Sequence, residues 1–245
     1  MGGLLLLLNP ATAFVMGPWL IWLFVRDREA WRSAPRYCAI AGLAATLCVA
    51  PWLVRNYRIW GVVVLRTSLG ITLYSSNSDC AQPSLYQEAI GGCIQKTFPV
   101  DSEPEARLLR TLGEVKYDRL RTADTMRWIS SHPKRFAELT SGRFVDFWFP
   151  SPMESAYTCY AIWAITLLSI PGIVLMVRQR EAIAPLIFCV WLIYPLLYYV
   201  VVSCDRYRYP ILWTSLLPAG YALEAFISGF RPVLRPAHRQ PYLGT

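Results

Sequence analysis

The sequence predicts an all-α integral membrane protein with about five transmembrane helices and little or no β structure. Two observations carry that expectation. Of the 245 residues, 55% are apolar, and these collect in runs of 18 to 22 residues almost free of charge. A run of about 20 residues crosses a hydrocarbon core about 30 Å thick at 1.5 Å per residue, whereas a soluble chain of this size shows shorter, amphipathic stretches. The positive charge also falls in short blocks between the runs, in an order that places those blocks on one side of a membrane.

The runs occupy residues 4–25, 37–54, 156–177, 182–202 and 210–227. In the first, Asn9-Pro10 is a point of breakage, with 4–8 the stub of an earlier helix and the span starting at Pro10. No basic stretch precedes the leucines and no small-residue cleavage site follows them, so the run reads as a span and not as a signal peptide. The division expected is two spans in 1–54, an extracytoplasmic segment in 55–155, three spans in 156–230 and a cytoplasmic tail in 231–245.

The net charge is +8. Residues 26–36 hold Arg26, Arg28, Arg32 and Arg36; the 178–181 loop holds Arg178 and Arg180; the tail holds Arg231, Arg235 and Arg239. Against these nine arginines stand Asp27, Glu29 and Glu181. Arginine-rich short loops remain in the cytoplasm, so 55–155, with 13 basic and 11 acidic residues, lies outside. The excess charge is therefore a topology feature, and a nucleic-acid partner is not expected. No ionisable residue sits in the middle of a span, which argues against a transporter.

Four of the seven cysteines (Cys38, Cys48, Cys159 and Cys189) sit in or beside apolar runs, as small hydrophobes. Cys204 falls at the outer interface. Cys80 and Cys93 both fall in the outer segment, where a disulfide persists. A bridge between them would close a short loop and contribute about 3 kcal/mol in the chain-entropy account; two free thiols is the other reading. Neither histidine is near the pair, which disfavours zinc.

Within the outer segment, 62–65 and 71–74 are short β-branched or aromatic runs and read as extended. Residues 77–99, rich in Ser, Gly, Pro and Asn, read as loop. From Pro104 a helical stripe appears in Leu108, Leu112, Val115, Leu120, Ala123 and Met126, ending at His132-Pro133. A second stripe, Phe136, Leu139, Phe144, Phe147 and Trp148, stops at Pro150. Two placements fit this amphipathic pair, flat on the membrane surface or folded as a cap over the spans.

The densest polar feature is 204–210. Pro210 suits the first turn of a helix, whose N-terminus offers free N–H groups and a partial positive charge. If the preceding residues are extended, Arg206 and Arg208 share a face and together suit a phosphate. The competing reading makes both arginines headgroup anchors, with Tyr207 and Tyr209 as belt aromatics. Asp205 stands where it could orient either arginine. Arg55 and Asn56 form a second polar pair at the same depth, again either a site or a snorkelling anchor.

Several stretches resemble the C-terminal half of bacterial GT-C membrane glycosyltransferases, the superfamily of protein O-mannosyltransferases and the lipid A aminoarabinose transferase. They are Leu8-Asn9-Pro10-Ala11-Thr12-Ala13, similar to that family's Thr-Arg-Pro-Thr-Ala stretch, and Pro51-Trp52-Leu53-Val54-Arg55-Asn56-Tyr57. Trp128-Ile129-Ser130-Ser131-His132-Pro133-Lys134-Arg135-Phe136, Arg143-Phe144-Val145-Asp146-Phe147-Trp148 and Arg206-Tyr207-Arg208-Tyr209-Pro210 follow in order. The resemblance implies transfer of a sugar, with inversion, from a polyprenyl-phosphate donor to an acceptor on the outer face of the bacterial inner membrane. It implies donor-phosphate contacts from Arg206, Arg208 and Arg55, supported by Asn56, Tyr207, Tyr209 and Asp205. The partners implied are the lipid-linked sugar, membrane lipids and a separate N-terminal half. No cofactor is implied within this chain, and the complete enzyme has room for a divalent cation. The family's acidic catalytic residue lies in a first outer loop without a counterpart here, and Asn9 stands where the family commonly has Arg. The chain therefore resembles a module of such an enzyme, the alternative being a non-catalytic membrane scaffold or regulatory partner.

Overall fold

The computed structural model describes residues 30–152 and 156–229, together with Gly17. The run at 4–25 and the tail at 231–245 lie outside the described residues. Those described are mostly helical and contain no strand, in keeping with an all-α chain; the one β feature is an isolated bridge between Ser84 and Ser203.

The first helix, α1 (Ala30–Trp60), has 31 residues and encloses the apolar run 37–54. At 1.5 Å per residue it is about 46 Å long. Ile40, Leu43, Leu47 and Val54 are all exposed on it. Its last turns are anchored to the chain that follows: Trp52 Nε1 donates to Leu65 O at 2.9 Å, and Asn56 Nδ2 to Val64 O at 2.7 Å.

Several local expectations for the next segment are corrected. Residues 62–65 form no strand, and 71–74 belong to helix α2 (Leu69–Ser76). A β-branched run yields to helix here because tertiary contacts outweigh propensity. Gly70 N–H donates to Asp118 Oδ1 at 2.6 Å, and the Tyr74 ring packs under the Arg121 guanidinium at 4.2 Å. The expected loop at 77–99 holds two short helices, α3 (Leu85–Ile90) and α4 (Ile94–Thr97). Ser84 caps α3 by accepting from Gln87 N–H at 3.2 Å. The single helix expected up to His132 is divided into α5 (Glu103–Leu112) and α6 (Glu114–Ser131). Gly113, at φ +75°, takes a conformation that other residues resist, and so makes the break.

Arg121 joins α5 to α6. Its guanidinium is bidentate on Glu105, whose carboxylate also accepts from the Tyr117 hydroxyl. The next helix, α7 (Pro133–Trp148), begins on Pro133 and ends before Pro150, as its sequence implies.

Among the described residues, two segments are long and apolar enough to cross a membrane: α8 (Ala156–Arg178), and Asp205–Ile227, which ends in α11 (Leu212–Ile227). Only 33% and 28% of their most apolar windows are buried, so most of that apolar surface faces outward, where a soluble core helix would hide it. Between them the apolar run expected as a span, 182–202, is helical but not continuous. It is broken at Tyr194-Pro195 into α9 (Ala184–Ile193) and α10 (Leu196–Val200), because Pro195 has no N–H to continue the ladder.

The helices α8 and α11 pack along their length. A buried cluster of Leu73, Phe147, Val190, Tyr194, Tyr198, Val201 and Ile211 then ties α2 and α7 to α9, α10 and the start of the last span. The polar residues discussed below surround this joint.

Candidate functional site

A small pocket opens where three segments meet. The turn before α3 and α3 itself supply Ser84 and Tyr86, the end of α7 supplies Asp146 and Ser151 just beyond, and the link after α10 supplies Ser203, Cys204 and Asp205. Two main-chain bonds seam the first and third segments: Leu85 N–H to Ser203 O and Ser203 N–H to Pro83 O, both 2.9 Å. Burial raises the Asp146 carboxyl above its ordinary range, against the hydrogen bonds it accepts from the Ser203 hydroxyl and the Ser151 N–H. The Asp205 carboxylate lies within electrostatic reach of Asp146 and of Arg208. The pocket is thus lined by two carboxyl groups and three serines.

The arginines expected to act together are separated. Residues 205–207 and 209–211 form two 3-10 turns, so the extended stretch that would place Arg206 and Arg208 on one face is not present. Arg206 is exposed, its guanidinium 5.9 Å from the Tyr207 ring centroid. Arg208 is only 2% exposed. It donates to Trp148 O at 2.7 Å and Phe147 O at 3.5 Å, and to the hydroxyls of Thr166 at 2.6 Å and Ser215 at 3.5 Å. Its plane also lies 5.0 Å from the Trp148 ring. The two carbonyls are the C-terminal ones of α7, where the helix dipole is negative, so this cation serves as a helix cap.

Tyr207 stacks on Tyr198 at 4.6 Å, and its carbonyl accepts from the Tyr194 hydroxyl at 3.2 Å; Tyr209 is exposed. Arg55 is exposed, lies 4.9 Å from the Trp52 ring and donates to Asn56 Oδ1 at 3.2 Å. Asn56 is fully buried and occupied with the 64–65 carbonyls. Among the described residues, no hydrogen bond, ion pair or ring contact joins Arg55 to Arg206 or Arg208.

Cys80 and Cys93 are bonded to each other as a disulfide. Among the described residues, no group of three or more His, Cys, Asp or Glu is placed to hold a metal ion.

The residues that sequence reasoning passed over form a second buried polar centre. Arg143, 0% exposed, donates to Val200 O at 2.8 Å, to Asn77 Oδ1 at 3.2 Å and to Ser76 O. Ser76 and Val200 end α2 and α10, so Arg143 caps two helices as Arg208 caps a third. Burial lowers the Arg143 guanidinium to about 10, an effect that the nearby Glu88 charge opposes. Burial likewise pushes Glu88 up to about 7, against the Gln82 N–H and the Arg143 charge. A feature pointing to Arg143 was present in the sequence: it falls midway between Leu139 and Phe147, four residues from each, on the apolar stripe of α7.

No family model matches the chain, and neither a curated protein nor a solved structure is found similar to it.

Proposed function

We propose that the chain is the C-terminal membrane module of a glycosyltransferase that moves a sugar from a polyprenyl-phosphate donor to an acceptor on the outer face of the bacterial inner membrane. In this reading the chain has about five spans. The run 4–25, α1, α8, the broken α9–α10 segment and Asp205–Ile227 cross the bilayer, with 55–155 outside. The chemistry is an inverting displacement. An acidic group takes the proton of the acceptor hydroxyl, the oxygen attacks the anomeric carbon, and the phosphate leaves with the electron pair of the broken bond. Cations near the leaving oxygen stabilise its charge. The acidic base belongs to a separate N-terminal half, and this chain contributes to the donor side.

The observation that supports this reading is the exposed Arg206, next in sequence to the pocket carboxyl of Asp205 and at the head of an apolar segment long enough to span. A phosphate carried on a lipid reaches that level of a membrane. The burial of Arg208 supports the second reading, a non-catalytic membrane scaffold, since that arginine is used up in packing.

Polyprenyl-phosphate binding by wild type, Arg206→Lys and Arg206→Ala in matched detergent separates the two readings. The donor reading expects Arg206→Ala to lose on the order of 1.5–3 kcal/mol, with Lys restoring only part of it because an ammonium lacks the planar fork. Equal affinities across the three proteins would leave Arg206 as a headgroup anchor and the scaffold reading in place.

A further inference from the structure

We propose that the Cys80–Cys93 disulfide is a redox latch on the pocket wall, which holds the pocket to its narrow form when oxidised and lets it open wider when reduced. This inference does not depend on the sugar-transfer reading. The bridge closes a loop with a sequence separation of 13, and Ser84 and Tyr86 inside that loop form one wall of the pocket. The opposite wall is Ser203, Cys204 and Asp205. The wall therefore stays in place only while the loop keeps its shape.

The loop's own helices contribute little to holding that shape. Its two helices have six and four residues, too short to be stable alone. Ile90 is 65% exposed and contributes little to a core. Glu88 is buried at 1% exposure, which works against closure because a carboxylate loses hydration there. Besides the bridge, the loop is tied by the Pro83–Leu85 seam to Ser203, by Arg135 Nη2 donating to Ala81 O at 3.0 Å, by the Pro83 ring lying against Gly142 of α7 and, within itself, by Gln82 N–H donating to Glu88 at 3.3 Å.

Cys80 is the sulfur a reductant reaches, being half-buried where Cys93 is 0% exposed. A dithiol supplies the two electrons and two protons. Its thiolate attacks the Cys80 Sγ, and Cys93 leaves as a thiolate and takes up a proton. The second thiol of the reductant then displaces Cys80 as a thiol, and the reductant ends as its own disulfide.

Cys204, half-buried in the opposite wall, reports the state of the latch. The test is peptide-resolved alkylation of the intact chain by a small maleimide, before and after treatment with a dithiol. The Cys80→Ser/Cys93→Ser double variant is run alongside as a permanently open form. The buried Cys159 on α8 is the internal reference. The latch expects alkylation of Cys204 to accelerate about tenfold or more in both opened forms while Cys159 stays protected, as for a local opening. An unchanged Cys204 rate, with Cys80 and Cys93 shown to be reduced, overturns the proposal. A parallel rise at Cys159 also overturns it, because the bridge would then hold the whole fold and not one wall.

Discussion

Gly172 lies against the carbonyl of Pro218, so close that a Cβ at position 172 would overlap the Pro218 carbonyl oxygen and carbon. The helices α8 and α11 therefore meet backbone to backbone at this crossing. Each carries an internal proline, Pro171 and Pro218, which removes one ladder donor. Close approach of this kind is how apolar helices gain packing where lipid offers no hydrophobic drive.

Gly172→Ala is expected to lower stability by about 1–3 kcal/mol, since the methyl group meets main chain that cannot swing aside. Gly220→Ala is the matched control, with nothing within 4 Å of its new Cβ. Thermal unfolding in detergent compares the two, and equal midpoints would refute the backbone contact.

Arg208 and Arg206 should separate stability from surface function. Arg208→Ala removes the short bonds to the Trp148 carbonyl and the Thr166 hydroxyl, leaving that carbonyl only the 3.3 Å bond from Thr166, and is expected to cost on the order of 1–3 kcal/mol. Arg208→Lys should recover only part, because one ammonium cannot reach both the carbonyls bound by Nη1 and the hydroxyls bound by Nη2. Arg206→Ala, at an exposed position, should leave the unfolding midpoint within about 0.5 kcal/mol of wild type. A silent Arg208→Ala would mean that the cap contributes nothing to the fold.

Glu88 should make stability fall as pH rises. Its folded pKa is about 7 against an ordinary 4.5, so between those values the folded chain holds a proton that the unfolded chain has released. Stability is then greatest below about 4.5, declines up to about 7 and levels off above it, by about 3 kcal/mol at 1.36 kcal/mol per unit. Asp146, raised for the same reason, adds to the slope at its acid end. Denaturant midpoints measured from pH 4.5 to 8 should show the decline in wild type and a flatter profile in Glu88→Gln. Identical profiles would place the titration elsewhere.

Much of the local architecture was legible in the residues. The apolar stretch at 156–177 and the proline stops at 133 and 150 mark helix limits without reference to the rest of the chain, because length, periodicity and a missing N–H act locally. The pairing of Cys80 with Cys93 was one of two open readings until their positions in the fold were known. Residues 71–74 misled: their β-branched run favours a strand in isolation, and the helix there depends on Asp118 and Arg121, nearly 50 residues further on.

The sequence by itself determined where apolar helices form and where charge gathers, since both follow from composition along a short window. Only the tertiary structure decided what the arginines do. Arg206 and Arg208 are two residues apart and chemically identical, yet one is exposed and the other caps α7. Two 3-10 turns set that difference by rotating the side chains away from a common face, and the carbonyls of Phe147 and Trp148 complete it. A buried guanidinium is stable only where several acceptors converge on it, and such convergence depends on helices brought together by the whole fold.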